Sequence, residues 1–189
     1  MKKTSSAFFT FHSNFHMMDG KECDFMFTAN HTQPMATADM KGRKGFESIH
    51  GKVDFYDTYD GTILIVEIYG IPKGLEEKNG GFHDFHIHDG ASCTGNEKDP
   101  LANSGMHYNP MNRQHPDHAG DLPPLLSNNG TAWAAIYTTR FYPEDVIGKT
   151  IILHEKPDDF RTQPSGDSGE KIACGEIKVW DKDMRGILF

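Results

Sequence analysis

An all-β fold is what this chain of 189 residues predicts, on three observations. Short apolar and polar alternations recur between clusters of turn residues, β-branched side chains concentrate in those segments, and apolar residues at helical spacing are nearly absent. The segments are residues 35–40, 50–56, 62–69, 82–88, 131–139, 150–154 and 172–180.

Each segment has its own warrant. In 50–56, Val53 and Phe55 alternate with Asp54 and Tyr56, which turns the two pairs to opposite faces of a strand. Ile63, Ile65, Val66 and Ile68 suit a strand buried on one or both faces. Pro143, Glu144, Asp145 and Val146 allow one helical turn. The connections 89–130 and 155–170 are too long for hairpins, and loops of that length inside a compact domain usually carry function. Residues 1–33 mix Phe8, Phe9, Phe11 and Phe15 with polar residues and sustain neither period, so they are expected to be an extension preceding a domain at 34–189.

Composition narrows the function classes. The hydrophobic fraction of 37% and charged fraction of 24% are those of a soluble globular domain, and no apolar run approaches the roughly 20 residues that span a bilayer, so no membrane partner is expected. Nineteen Lys and Arg against twenty-seven Asp and Glu leave a net charge of -8, which argues against general nucleic-acid binding. Lys2 and Lys3 are not followed by an apolar h-region, which predicts a cytoplasmic protein, with the cell envelope or the exterior as the alternative. Three cysteines, Cys23, Cys93 and Cys174, allow one bridge with one thiol left over, and a disulfide would be unusual in the cytosol.

The chemistry concentrates in one stretch. Between Phe82 and Asp121 lie six of the eleven histidines: His83, His86, His88, His107, His115 and His118. Neutral imidazole binds copper and zinc readily, and the Asp121 carboxylate three residues after the last histidine adds a harder ligand. His86 and His88 stand two apart on a predicted strand, which points both rings to one face. His154, at the end of a later strand, is a further candidate.

Five motifs, in order, resemble the bacterial copper,zinc superoxide dismutases: Gly81-Phe82-His83-Asp84-Phe85-His86-Ile87-His88, Gly105-Met106-His107-Tyr108-Asn109-Pro110, His118-Ala119-Gly120-Asp121-Leu122, Leu153-His154-Glu155 and Ile172-Ala173-Cys174-Gly175. The resemblance spans roughly residues 35–180. It implies an eight-stranded antiparallel Greek-key β-barrel or flattened sandwich of immunoglobulin-like architecture, with two long functional loops on one outer face. It implies copper held by His86, His88, His107 and His154, and zinc held by His107, His115, His118 and Asp121, with His107 bridging the two. Four nitrogens suit tetragonal copper, and three nitrogens with one oxygen suit tetrahedral zinc. The implied activity is superoxide dismutation by copper cycling, His107 acting as proton carrier and Lys171 as the cationic channel residue.

The same resemblance implies a disulfide between Cys93 and Cys174, a structural rather than ligating His83, and a buried Asp158 linking a copper histidine to a zinc histidine, with Asp159 as the neighbouring alternative. Three positions depart from the family pattern. Lys171 replaces the usual arginine, keeping the charge but losing the planar fork, and Lys156 or Arg161 are alternative sources of the field. Asp84 replaces a common glycine and adds negative charge near the site. Only Pro116 and Asp117 separate His115 from His118, so the zinc loop must turn tightly. Superoxide is the expected small-molecule partner, and monomer and homodimer remain open. A non-catalytic copper- and zinc-binding protein of the same fold is the alternative function; a zinc hydrolase is disfavoured because four protein ligands leave no place for a catalytic water.

Overall fold

A computed structural model describes residues 32–181; residues 1–31, with Cys23 and nearly all of the expected extension, lie outside the described residues. Ten strands form: β1 Ala36–Gly42, β2 His50–Thr58, β3 Gly61–Tyr69, β4 Phe82–His83, β5 Phe85–His88, β6 Leu125–Asn128, β7 Thr131–Thr138, β8 Thr150–His154, β9 Lys171–Glu176 and β10 Lys178–Val179. Two short helices, α1 Lys73–Asn79 and α2 Pro143–Val146, and a 3-10 turn at Ala102–Ser104 are the remaining elements among the described residues.

The pairing is antiparallel throughout, in the order β4-β6-β7-β3-β2-β1-β9-β8-β5, with β10 also on β1. The two ends of that path are β4 and β5, which are consecutive in the chain and separated only by Asp84. The sheet therefore nearly closes on itself, and the seam runs through Asp84. Neighbours that are distant in sequence, β3 with β7 and β1 with β9, are Greek-key crossings. Because Asp84 alone interrupts 82–88 and Ile177 alone interrupts 171–179, the ten strands form eight continuous stretches, the number expected.

Alternation builds the core. Val53 and Phe55 from β2, Leu64, Val66 and Ile68 from β3, Phe85 and Ile87 from β5, and Ile151 and Leu153 from β8 pack in one buried cluster. On the outer face of β3, Glu67 and Tyr69 are exposed, yet Ile63 is buried, so that strand is covered on both sides only at its start. Tyr56 is likewise buried on the face opposite Phe55.

Two elements depart from the expectation. The strand β6 lies inside the stretch read as loop, four residues directly after Pro123 and Pro124 that are too few to establish a period. Helix α1 buries none of its residues, so no apolar stripe announces it. The helical turn at Pro143–Val146 forms where proline fixes the first position, and Asp145 accepts the backbone N–H of Tyr142 at its start.

Candidate metal centre

Strand β5 organises the site. Phe85 and Ile87 enter the core, and the alternation sends His86 and His88 to the opposite face. One edge of β5 pairs with β8. The other edge is taken by the long loop, where Tyr108 N–H donates to Ile87 O at 2.8 Å and Ile87 N–H donates to Gly120 O at 2.9 Å. These bonds set His107 opposite His88 and Asp121 opposite His86. From the far edge, His154 ends β8 after a register shift, its N–H donating to Asp84 O at 2.9 Å.

Three groups of potential ligand atoms result among the described residues: His86, His88, His107 and His154; His107, His115, His118 and Asp121; and Asp84, His86 and Asp158. Within each group the atoms lie within 4.8 Å of one another, and every member is buried. His107 belongs to both larger groups. Its Nδ1 lies 2.8 Å from Asp121 Oδ1, while its Nε2 is buried without a hydrogen-bond partner on the other side of the ring. His115 Nδ1 and His118 Nδ1 stand 3.1 and 3.2 Å from the Asp121 oxygens. Asp121 Oδ2 also accepts the His118 N–H at 3.0 Å. His83 lies outside these groups, with its ring nitrogens beside His154 O and Ser127 Oγ.

The donor set fits cations. His88 Nε2 faces His154 Nε2 at 3.4 Å and His107 Nδ1 faces His118 Nδ1 at the same distance. His86 Nδ1 is buried without a partner. Buried polar atoms are normally satisfied, so converging nitrogen lone pairs that meet each other are an unmet demand that a positive ion removes. Electrostatics agree: burial, aided by neighbouring positive charge, holds His88 and His154 well below the ordinary imidazole range. Burial also lowers His107 despite its bond to Asp121. Burial opposes ionisation of Asp121, but His107 and the His118 N–H outweigh it and lower its carboxyl. The result is three imidazoles, His88, His107 and His154, that favour the neutral form, and a carboxylate at Asp121 that favours the ionised one.

His86 differs. Burial disfavours its cation, but Asp158 and Asp84 more than compensate and push it up to about 9. Asp158 lies 2.9 Å from His115 Nε2 and 3.6 Å from His86 Nε2, so it touches one ring from each larger group. Asp159 is elsewhere, capping Arg161 and Thr162. Asp84 keeps a negative φ, unlike Asn112, Asn129, Phe160 and Asp167, so its conformation does not call for glycine.

Several supports were not visible in the sequence motifs. Arg140 Nη1 donates to the carbonyls of Pro116, His118 and Asp121 at 3.1, 2.9 and 3.3 Å, cross-tying the tight His115–His118 turn in which the His115–Pro116 peptide is cis. Gln163 grips the His115 backbone with both ends of its amide, at 3.0 and 2.7 Å. A Cβ on Gly166 would fall 1.8 Å from Asp158 Oδ1, and its φ is +69°, so no other residue fits there without moving Asp158. Lone polar residues in loops carry no spacing signal; only the resemblance located Asp158.

Lys171 lies on β9, its ammonium 3.3 Å from the carbonyls of Leu101 and Gly105 and 3.5 Å from Asp99. Gly105 O also lies 3.0 Å from His88 Nδ1, so one carbonyl touches both the lysine and the imidazole. Cys93 and Cys174 are joined by a disulfide across 81 residues, tying the long loop to β9. Lys156 pairs with Asp167 at the rim.

Known proteins share this architecture. The family model for copper/zinc superoxide dismutase matches residues 49–177. A Cu-Zn superoxide dismutase of Pasteurella multocida is 34% identical over 155 residues, covering 70% of this chain and 83% of that protein. One of Aquifex aeolicus is 27% identical over 172 residues, covering 82% and 95%. Among solved structures, a Cu/Zn superoxide dismutase from Brucella abortus superposes with a TM-score of 0.63 at 24% identity, over 75% of this chain and 98% of that one, a likeness of fold.

Proposed function

The chain belongs to the copper/zinc superoxide dismutase family, and on that premise we propose that His86, His88, His107 and His154 hold copper while His107, His115, His118 and Asp121 hold zinc. The reaction is the conversion of two superoxide ions and two protons to dioxygen and hydrogen peroxide, and the cofactors are copper and zinc. The observation that carries the ligand assignment is His107, a single buried imidazole with one nitrogen among the zinc-side donors and the other among the copper-side ones.

When bound, copper supplies a one-electron couple, Cu(II) with Cu(I), and zinc supplies fixed positive charge. The chain's own groups do the rest. His107 Nδ1 and Asp121 Oδ1, 2.8 Å apart, are both among the donors that would hold zinc, which would keep the ring in place at that end and leave Nε2 as the nitrogen to take and deliver a proton. Asp158 orients the His115 ring, and the Gly105 carbonyl orients the His88 ring. Lys171 offers a local positive charge to an anion, which a net charge of -8 spread over the whole chain does not cancel, because exposed charges beyond about 10 Å are screened at 0.1 M salt. The disulfide supports the cell envelope or exterior over the cytoplasm, since such bridges persist in oxidising compartments.

The test pairs metal content with turnover. Purified protein loaded with copper and zinc is expected to consume superoxide, and His86→Ala to lose copper and turnover together while retaining zinc. Full copper occupancy without turnover overturns the catalytic assignment in favour of a binding protein. Copper retained at full stoichiometry in His86→Ala overturns the ligand assignment.

A further inference from the structure

We propose that Asp84 is a positioning residue for His86, taking over the outer nitrogen of the copper-side imidazole and leaving Asp158 chiefly to His115. The inference rests on the ligand assignment above and adds a residue to it. Asp84 Oδ1 lies 2.9 Å from His86 Nε2, closer than Asp158 Oδ2 at 3.6 Å, whereas Asp158 meets His115 Nε2 at 2.9 Å. Each carboxylate thus has a nearer ring, one from each metal group. His86 Nε2 has a hydrogen bond of good geometry to neither oxygen, so both carboxylates act on it by proximity, Asp84 the more closely.

Asp84 is held for this task on every side. Its side chain is wholly buried, Oδ1 accepts the Phe85 N–H at 2.9 Å, and Oδ2 contacts the hydroxyl of buried Ser168 in the second long loop. Its backbone sits at the seam of the barrel, with its N–H donating to Lys156 O at 2.8 Å and its carbonyl accepting from His154. A buried carboxylate is costly unless paired. Here the pairing partner is a ligand ring, and a carboxylate on the outer N–H makes the opposite nitrogen more basic and favours the more highly charged metal. Position 84 therefore bears on the balance between Cu(II) and Cu(I), and Ser168 couples that balance to the loop 155–170.

The experiment compares the copper- and zinc-loaded protein with Asp84→Asn, Asp84→Gly, Ser168→Ala and Asp158→Asn. The readouts are the electron paramagnetic resonance of Cu(II), the midpoint potential and the rate of zinc loss to a chelator. Asp84→Asn, which keeps the shape and loses the charge, is expected to shift the Cu(II) spectrum and lower the preference for Cu(II) over Cu(I) about tenfold, which is about 60 mV upward, with zinc loss changed less than about twofold. Asp84→Gly shifts the potential the same way, whereas Ser168→Ala, which removes a donor that draws charge from Asp84, shifts it slightly downward. Asp158→Asn is expected to speed zinc loss about tenfold or more and leave the copper spectrum near that of the parent.

A copper spectrum and potential that respond to Asp158→Asn as strongly as to Asp84→Asn overturn the division of labour. An unchanged copper centre in both Asp84 variants overturns the role of Asp84 while leaving the ligand assignment standing. Binding of an additional metal ion that Asp84→Asn abolishes overturns it too, in favour of a cation between Asp84 and Asp158. If the unsubstituted protein lacks nitrogen hyperfine structure on Cu(II), the ligand assignment fails and the inference with it.

Discussion

Removing the Cys93–Cys174 bridge is expected to loosen the whole domain while the metal ligands stay in place in sequence. The bridge closes a loop of 81 residues, and loop-closure entropy for that span amounts to about 4.5 kcal/mol at 25 °C. That is a large share of the roughly 5–15 kcal/mol by which domains are stable. The measurement is urea denaturation of Cys93→Ser/Cys174→Ser in a Cys23→Ser background, so that no third thiol exchanges. With a slope of about 2–3 kcal/mol per molar, the midpoint is expected to fall by about 1.5–2.3 M. Because Leu101 and Gly105 of the tethered loop hold Lys171, and Gly105 lies against His88, copper affinity is expected to fall with it. A midpoint drop below about 0.3 M at unchanged slope refutes the loop-closure reasoning, since the cross-link would then constrain nothing the fold had not already fixed.

Arg140→Ala removes three charge-assisted bonds to the zinc-side turn and is expected to raise the zinc dissociation constant about tenfold, read by competition with a chromophoric chelator; a change under about twofold counts against the cross-tie. Gly166→Ala must either strain its backbone or push Asp158 away, and a loss of about 1–3 kcal/mol in denaturation of the metal-loaded protein is expected, with an unchanged midpoint the contrary result. For Lys171, rising ionic strength is expected to slow superoxide consumption measured by pulse radiolysis, and Lys171→Glu to lower the second-order rate about tenfold with a flatter salt dependence; a parental slope in that variant would remove Lys171 from the steering field.

The fold was legible where burial imposes a period. Val53 and Phe55 in β2 and the β-branched run in β3 announce their strands because one face of each meets the core. The helix α1 and the strand β6 were not legible, the first because it buries nothing and the second because four residues after two prolines hold too little pattern. At the site, the spacing of His86 and His88 fixed their shared face, and the motifs marked every member of the two larger groups except His115, which lies between two of them. The supports were silent: Arg140, Gln163, Gly166 and Ser168 act through backbone carbonyls or single contacts, and such contacts impose no periodicity. Asp84 was visible as a departure from glycine, but its effect on the ring two residues away depends on the seam geometry.

Loops are ordinarily the mobile parts of a domain, yet here the loop 89–124 carries four of the seven proposed ligands, and the loop 155–170 carries Asp158, which touches two rings of the set. Secondary structure does not hold them, so cross-ties must. The disulfide pins one loop to β9, Arg140 pins the zinc-side turn to the end of β7, Gln163 pins the second loop to His115, and Asp158 joins the second loop to both metal groups. Each tie joins a loop to the barrel or to the other loop, and none depends on the metals. A centre that alternates oxidation state gains speed when its surroundings need not rearrange, because a preorganised site costs no reorganisation at the moment of transfer. The barrel seam adds to this by fixing Asp84, and through it His86, to the backbone of the barrel. Rigidity of the copper side is thus expected to survive loss of zinc better than rigidity of the zinc side survives loss of Asp158.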